Sequence, residues 1–192
     1  MVQSGSITAT AGLAVEGAAL SSIQVSPASA TIPQTIRSGF TATGMFANGD
    51  ALDLTGIVAW TSSAPSVVTI SNAVGSQGSA TGVAPGSTTI SALFAGQVGT
   101  ASLRVTNATL VSISVTPATP SISLGSSQQF SATATFSDAS TLNLSNQVNW
   151  ASSDVAIAVV NATGLASSAG SGSATITATL DGVSGTAILT VQ

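Results

Sequence analysis

Few residues in this 192-residue chain could do chemistry. Six carboxylates, Glu16, Asp50, Asp53, Asp138, Asp154 and Asp181, could in pairs supply an acid and a base. Asp50 and Asp53 could join Asn48 as oxygen ligands for calcium, although their spacing is not that of an EF-hand loop. Ser62-Ser63 and Ser152-Ser153 each follow a tryptophan at the same distance and are candidate nucleophiles, and Trp60 and Trp150 themselves could stack on a sugar. Each possibility needs support that the composition withholds. The chain has no histidine and no cysteine, and its two basic residues are Arg37 and Arg104. A serine without histidine or lysine lacks its usual activating base. Thiol catalysis and thiolate metal sites are excluded. Most of the acids sit among turn-forming residues, where a short carboxylate caps backbone amides. The chain therefore reads as non-enzymatic, with no catalytic residue, cofactor or metal expected.

The tryptophans lie on elements with a clear pattern. From Val111 to Asp154, short runs alternate: Ile113/Val115, Ile122/Leu124, Phe130/Ala132/Ala134/Phe136 and Val148/Trp150, separated by Pro117, Pro120, Gly125, Asp138, Asn143 and Asn146. Period-2 alternation sends every second side chain to one face, so each run is a half-buried strand. Trp60 and Trp150, with Phe40, Phe130, Phe46 and Phe136, fall in register with the apolar positions and are expected in the core. On this reading the serine pairs serve the backbone at strand ends.

The pattern occurs twice. Leu20, Ile23, Val25, Phe40, Phe46 and Trp60 stand 90 residues before Leu110, Ile113, Val115, Phe130, Phe136 and Trp150. Near the C-terminal end, Ile90, Gly96 and Leu103 match Ile176, Gly182 and Leu189 at an offset of 86. Between them, Ala80-Thr81-Gly82 matches Ala162-Thr163-Gly164 at 82, which implies eight extra residues in repeat one near Asn72 to Ser79 and four in repeat two between Leu165 and Gly172. Three units follow: an extension over 1–19, one domain over 20–106 and a second over 107–192. Strands are expected at Ser22–Ser26, Thr31–Pro33, Arg37–Phe46, Gly56–Thr61, Ser66–Ser71, Ala80–Ala84, Ser87–Phe94 and Val98–Thr106, with a two-residue turn at Asn48-Gly49. About seven short strands per unit and no capped helical stripe define an all-β fold of two tandem β-sandwiches. Only Asn107-Ala108-Thr109 joins them, so the pair reads as a semi-rigid rod.

The net charge is −4, and 4 % of the residues are charged. Without a basic stripe, nucleic acid and anionic membrane surfaces are excluded as partners. No apolar run approaches the length of a transmembrane helix, so no direct membrane insertion is expected. The first 19 residues have no positive n-region and do not read as a secretory signal. Within them, Ile7-Thr8-Ala9-Thr10 is identical to Ile176-Thr177-Ala178-Thr179, and Ile7, Ala9 and Ala11 alternate on one face. They form a candidate assembly strand that joins a sheet edge of a neighbouring subunit or of repeat one. The absence of lysine, a usual guard of sheet edges, agrees with edges covered by something else.

The frame Leu110-x-x-Ile113-x-Val115-x-Pro117, then Gly125, Gln129-Phe130, Asp138, Val148-x-Trp150-x-Ser152-Ser153-Asp154, Gly164-Leu165 and Gly172-x-Ala174-x-Ile176 resembles the group 2 bacterial immunoglobulin-like (BIG) domain. It extends over about residues 20 to 192 and is looser in repeat one, where Thr35, Gly39 and Ala64 replace the counterparts of Gly125, Gln129 and Asp154. The resemblance implies tandem Ig-like sandwiches, as in invasin- and intimin-type surface proteins and phage virion proteins. It implies a structural or adhesive repeat module of a bacterial surface protein or extracellular appendage, assembled by strand pairing, with filament neighbours or further copies as partners. The alternatives are a capsid or tail decoration protein of a phage virion and an adhesin module that binds a host receptor or glycan. For the last, the insertion near Asn72 to Ser79 is the only local support.

Overall fold

The computed structural model describes residues 17–192. The candidate strand Ile7, Ala9 and Ala11, and Glu16, lie outside the described residues. The described chain is all β, as expected. Repeat one contains β1 (Leu20–Ser26), β2 (Ser29–Pro33), β3 (Arg37–Gly39), β4 (Thr41–Phe46), β5 (Ala51–Asp53), β6 (Ala59–Ser62), β7 (Val68–Ile70), β8 (Ser79–Gly82), β9 (Gly86–Phe94) and β10 (Gln97–Thr106). Repeat two continues with β11 (Leu110–Thr116), β12 (Ser121–Ile122), β13 (Ser127–Gln129), β14 (Ser131–Phe136), β15 (Thr141–Asn143), β16 (Asn149–Ser152), β17 (Ala158–Val160), β18 (Leu165–Ser168), β19 (Gly172–Leu180) and β20 (Val183–Val191).

One face of each sandwich is a four-stranded sheet, β2-β10-β9-β6 in repeat one and β12-β20-β19-β16 in repeat two. Opposite it lie two three-stranded ladders, β1-β4-β5 with β3-β8-β7 and β11-β14-β15 with β13-β18-β17. The edge strands β2 and β12 run parallel to the last strand of their repeat. The core lies between these faces. Ile90 and Ala92 on β9, Leu103 and Val105 on β10, and Ala42 on β4 turn inward and are buried; Ile176, Ala178, Leu189, Val191 and Ala132 do the same in repeat two. Each fully buried Ile, Leu or Val contributes roughly 1.5–3 kcal/mol.

Three local expectations change. The expected strand Arg37–Phe46 is split at Phe40, whose N–H donates to the Gly78 carbonyl at 2.8 Å. Residues before it pair with β8 and residues after it with β1. Ile36, Phe40 and Ala42 all stay buried, so the alternation runs unbroken while the chain changes ladders. The expected strand from Gly56 begins only at Ala59, because Ile57 and Val58 both donate to the Leu54 carbonyl, at 2.9 and 3.0 Å. That helical turn places Leu54 and Val58 together in the core. At Asn48-Gly49, Phe46 N–H bonds Asp50 O and Gly49 N–H bonds Phe46 O, each at 2.9 Å, closing a longer loop in which Gly49 has φ 90° and Asn48 stays out of the left-handed region.

The repeat correspondence also needs correction. In the ladders, Arg37 pairs with Thr81 and Ser127 with Ser167, so β8 and β18 correspond at an offset of 86, not 82. Ala80 and Ala166, both fully buried, are the matching positions. Repeat one has four extra residues rather than eight, and repeat two has no compensating insertion. The matching Ala-Thr-Gly triplets are a coincidence of a chain dominated by small residues.

Candidate functional site

Among the described residues the carboxylates do not converge. Asn48 Nδ2 donates to Asp50 at 2.7 Å, Asp53 accepts from Thr55 N–H at 2.8 Å, Asp138 accepts from the Ser140 amide and hydroxyl at 3.0 and 2.6 Å, and Asp154 accepts from Ala156 N–H at 2.9 Å. Each closes its own exposed turn. Thr55, by its side chain and then its amide, holds the Asp53 carboxyl below the ordinary aspartate value, and Ser140 does the same to Asp138. Both shifts favour the charged, turn-closing form, the reverse of what a general acid needs. Among the described residues no three potential metal ligands cluster.

The serine pairs hold strand ends. Ser62 and Ser63 hydroxyls lie 2.9 and 3.1 Å from the buried Thr88 hydroxyl, and Ser63 Oγ accepts from Thr89 N–H at 3.0 Å. In repeat two, Ser153 Oγ accepts from Thr175 N–H at 2.9 Å, and Ser152 Oγ from Asp154 N–H at 3.3 Å.

The tryptophans part company. Each indole N–H is satisfied, Trp60 on Thr55 O at 3.0 Å and Trp150 on Ser145 O at 2.8 Å. Trp60 is 2 % exposed and joins Phe40, Phe130 and Phe136 in the core. Trp150, expected there too, packs against the core but stays only half-buried. The loops beside them differ too, repeat one's being four residues longer. Its loop reaches the backbone of Trp60: Asn72 Oδ1 accepts from the Trp60 backbone N–H at 2.8 Å, while Asn72 Nδ2 donates to Trp60 O at 2.9 Å. One amide side chain thus takes the place of a further strand at the edge of β6. The tighter turn of repeat two turns Asn161 onto its own backbone, at 2.9 Å to Thr163 N–H and 3.0 Å to Leu165 N–H. The insertion that alone hinted at ligand binding thus closes the edge of β6 through Asn72, while most of it, Val74 included, lies exposed. Asn72→Ala is expected to cost about 1–3 kcal/mol, because it strands the Trp60 N–H beneath the loop. Urea unfolding followed by Trp60 fluorescence in a Trp150→Phe background measures it, and a loss under about 0.5 kcal/mol would show that the Asn72 bridge to β6 contributes nothing.

Phe46, also expected in the core, is only half-buried, whereas its counterpart Phe136 is fully buried. Phe136 lies at the joint between the repeats, in a groove shared by Gln34 to Ile36, the linker Asn107 to Thr109, Asp181 and Val183. Across this joint Arg37 N–H donates to Gln147 Oε1 at 2.9 Å, and Gln147 Nε2 donates back to Arg37 O at 3.0 Å. Sequence reasoning missed Gln147 and Asn72, since a glutamine or asparagine in a turn carries no signal of which distant backbone it will meet.

Comparison with known proteins gives a family. Residues 19–106 and 110–191 each match the bacterial Ig-like domain (group 2). Ice-binding protein 1 of Shewanella frigidimarina (strain NCIMB 400) is 38 % identical over 169 residues, covering 85 % of this chain and 18 % of that protein. The chain thus spans less than a fifth of that relative. Among solved structures, domains 5–6 of the S-layer protein SbsC cover 91 % of this chain and 98 % of their own at 21 % identity and a TM-score of 0.49. FdeC, an Escherichia coli adhesin, covers 91 % of this chain and 66 % of its own at 16 % identity and a TM-score of 0.35.

Proposed function

The chain belongs to the bacterial Ig-like domain (group 2) family, and from that premise we propose that it is a non-enzymatic structural module of a bacterial surface or extracellular protein, holding other parts of that protein at a fixed spacing. The observation that carries this reading is the joint. A three-residue linker and the reciprocal Gln147–Arg37 pair fix two sandwiches end to end. Among the described residues, Asp50, Asp53, Asp138, Asp154 and the serine pairs are engaged within their own units, on turns and strand ends.

Small-angle scattering at low concentration tests the reading. The expected particle is a rod with one narrow distribution of maximum dimension. Replacing Asn107-Ala108-Thr109 by a long Gly-Ser linker, together with Gln147→Ala, should broaden that distribution. A chain that is already broad, or one that binds a glycan array saturably through a single exposed residue, would overturn the spacer role in favour of a flexible tether or an adhesin.

A further inference from the structure

The two sandwiches finish one sheet edge differently. β6 and β16 are the last strands of their four-stranded sheets. In repeat two, Asn149 pairs with Thr179, Trp150 with Ala178, Ala151 with Thr177 and Ser152 with Ile176. Ser153 N–H donates to Thr175 O at 2.9 Å. Antiparallel alternation then turns the backbone groups of Ala151 and Asn149 toward β19 and those of Trp150 and Ser152 away from it. In repeat one, the equivalent outward groups of Trp60 are both taken by Asn72, at 2.8 and 2.9 Å. Asn72 belongs to the extra length of that repeat and has no counterpart, since Asn161 closes its own turn. Among the described residues, the outward N–H and carbonyl of Trp150 meet no partner.

This edge is also apolar and unguarded. Trp150 is only half-buried. Val155 is 67 % exposed and Val159 51 %. Their equivalents in repeat one, Pro65 and Thr69, line a groove with Trp60 and Ser62, which places both valines at the corner beside Trp150. β16 carries neither a charge nor a proline, the usual guards of an edge. The edge lies away from both ends of the described chain. Gln192 sits on β12, at the opposite edge of the same sheet, and the whole of repeat one separates β16 from Gly17.

We propose that Ile7 to Ala11 of a second copy adds to the β16 edge as a further strand of this sheet. Ile7-Thr8-Ala9-Thr10 has the same four residues as Ile176 to Thr179, the stretch of β19 that pairs with β16 on its other side. In a chain of small residues a tetrapeptide match is no sign of common origin; here it shows that these side chains fit this strand. Antiparallel and in the register of β19, Ala9 exchanges two hydrogen bonds with Trp150, and Ile7 stands opposite Ser152. Ile7 and Ala9 then cover the indole side, and Thr8 and Thr10 join Ala151 and Asn149 on the outer face. The donor is not the same chain. Thr10 stands seven residues before Gly17, a reach of at most about 24 Å. Gly17 lies at the end of repeat one away from the joint, and the ten residues of β10, which run the length of that repeat, span about 33 Å. With one donor segment and one acceptor edge per chain, the contact is heterologous and passes from copy to copy. It is weak, because a short strand of small side chains buries little apolar area.

Sedimentation velocity of the full chain, raised to about 1 mM, tests this. The sedimentation coefficient is expected to climb with concentration. Ala9→Pro removes the N–H that meets the Trp150 carbonyl and should weaken association at least tenfold. Replacing Asn161–Gly164 by Ser71–Gly78 brings the Asn72 cap to the Trp150 backbone and should do the same, with far-UV circular dichroism unchanged in both. The first variant keeps the acceptor edge and the second keeps the donor segment, so an equimolar mixture should recover a dimer and nothing longer. A synthetic peptide of residues 4–13, added to the Ala9→Pro chain, should move Trp150 emission to shorter wavelength and should leave the grafted chain unmoved. If the graft alters the circular dichroism, Ala9→Pro and the peptide decide alone. A wild-type chain that stays monomeric overturns the proposal, and so does association that survives Ala9→Pro or a folded graft undiminished. A monomer whose Trp150 emission already differs from that of the Ala9→Pro chain would put the segment on its own chain, which also overturns it. The spacer role, read from the dilute single chain, survives each of these failures.

Discussion

Trp60→Ala is expected to destabilise repeat one by about 3–5 kcal/mol, the range for emptying a large aromatic from a packed core. Trp150→Ala in repeat two should cost clearly less. The two residues share a strand position, an indole hydrogen bond to the preceding turn and a neighbouring glycine, but not their degree of burial. Trp60 is 2 % exposed and next to the buried Val68, so its removal empties a packed site that side chains do not fill easily. Trp150 is half-buried, so part of its surface is already in water and the space it vacates opens outward. Less apolar area returns to solvent, and less dispersion contact is forfeited. Native-state hydrogen exchange of the amides of β9 and β19 separates the two repeats within one chain. Equal losses, or a larger loss at Trp150, would show that the deeper burial of Trp60 adds nothing.

That contrast marks what was legible. Alternation and the tandem repeat were enough for an all-β fold with two sandwiches, because inward positions on each strand must be apolar whatever the ladder partners are. They could not reveal the split at Phe40, since the alternation continues across the change of ladder. Nor could they place the Leu54–Val58 turn, where a buried pair four residues apart imitates the start of a strand. The offset of 82 failed for a related reason: with so few distinctive side chains, triplets of small residues align by chance, and only the ladder register shows which alanine faces the core. The core expectation held for Trp60, Phe40, Phe130 and Phe136 and not for Trp150 and Phe46. For Phe46 and Phe136 the difference lies outside their strands, in the neighbouring repeat. Burial of a residue at the end of a sandwich is set by what stands beyond that end, and alternation within a strand cannot report it.

Gly164→Ala is the second large effect, expected at about 3 kcal/mol or more. Two costs add. Gly164 has φ +83°, where an alanine is strained by roughly 1–2 kcal/mol. An added Cβ would also lie 2.7 Å from the Phe130 carbonyl oxygen and 2.8 Å from Cζ2 of Trp150. Neither neighbour can retreat, because Phe130 is buried and its N–H is bonded to Gly164 O at 2.8 Å, while the Trp150 indole is pinned on Ser145 O. Gly78 holds the matching place in repeat one, with φ +76°, against the Phe40 carbonyl and the Trp60 ring, and Gly78→Ala should behave alike. Gly125 is the control. Its φ is +86°, but nothing lies within 4 Å of its would-be Cβ, and the corresponding residue in repeat one is Thr35 at φ 71°. Gly125→Ala should therefore carry the conformational cost alone, about 1 kcal/mol. Urea unfolding of the three variants gives the comparison. If Gly125→Ala costs as much as Gly164→Ala, backbone strain accounts for everything and the close approach over the tryptophan does not matter; a difference of about 2 kcal/mol assigns that remainder to the contact with the Phe130 carbonyl and the Trp150 ring.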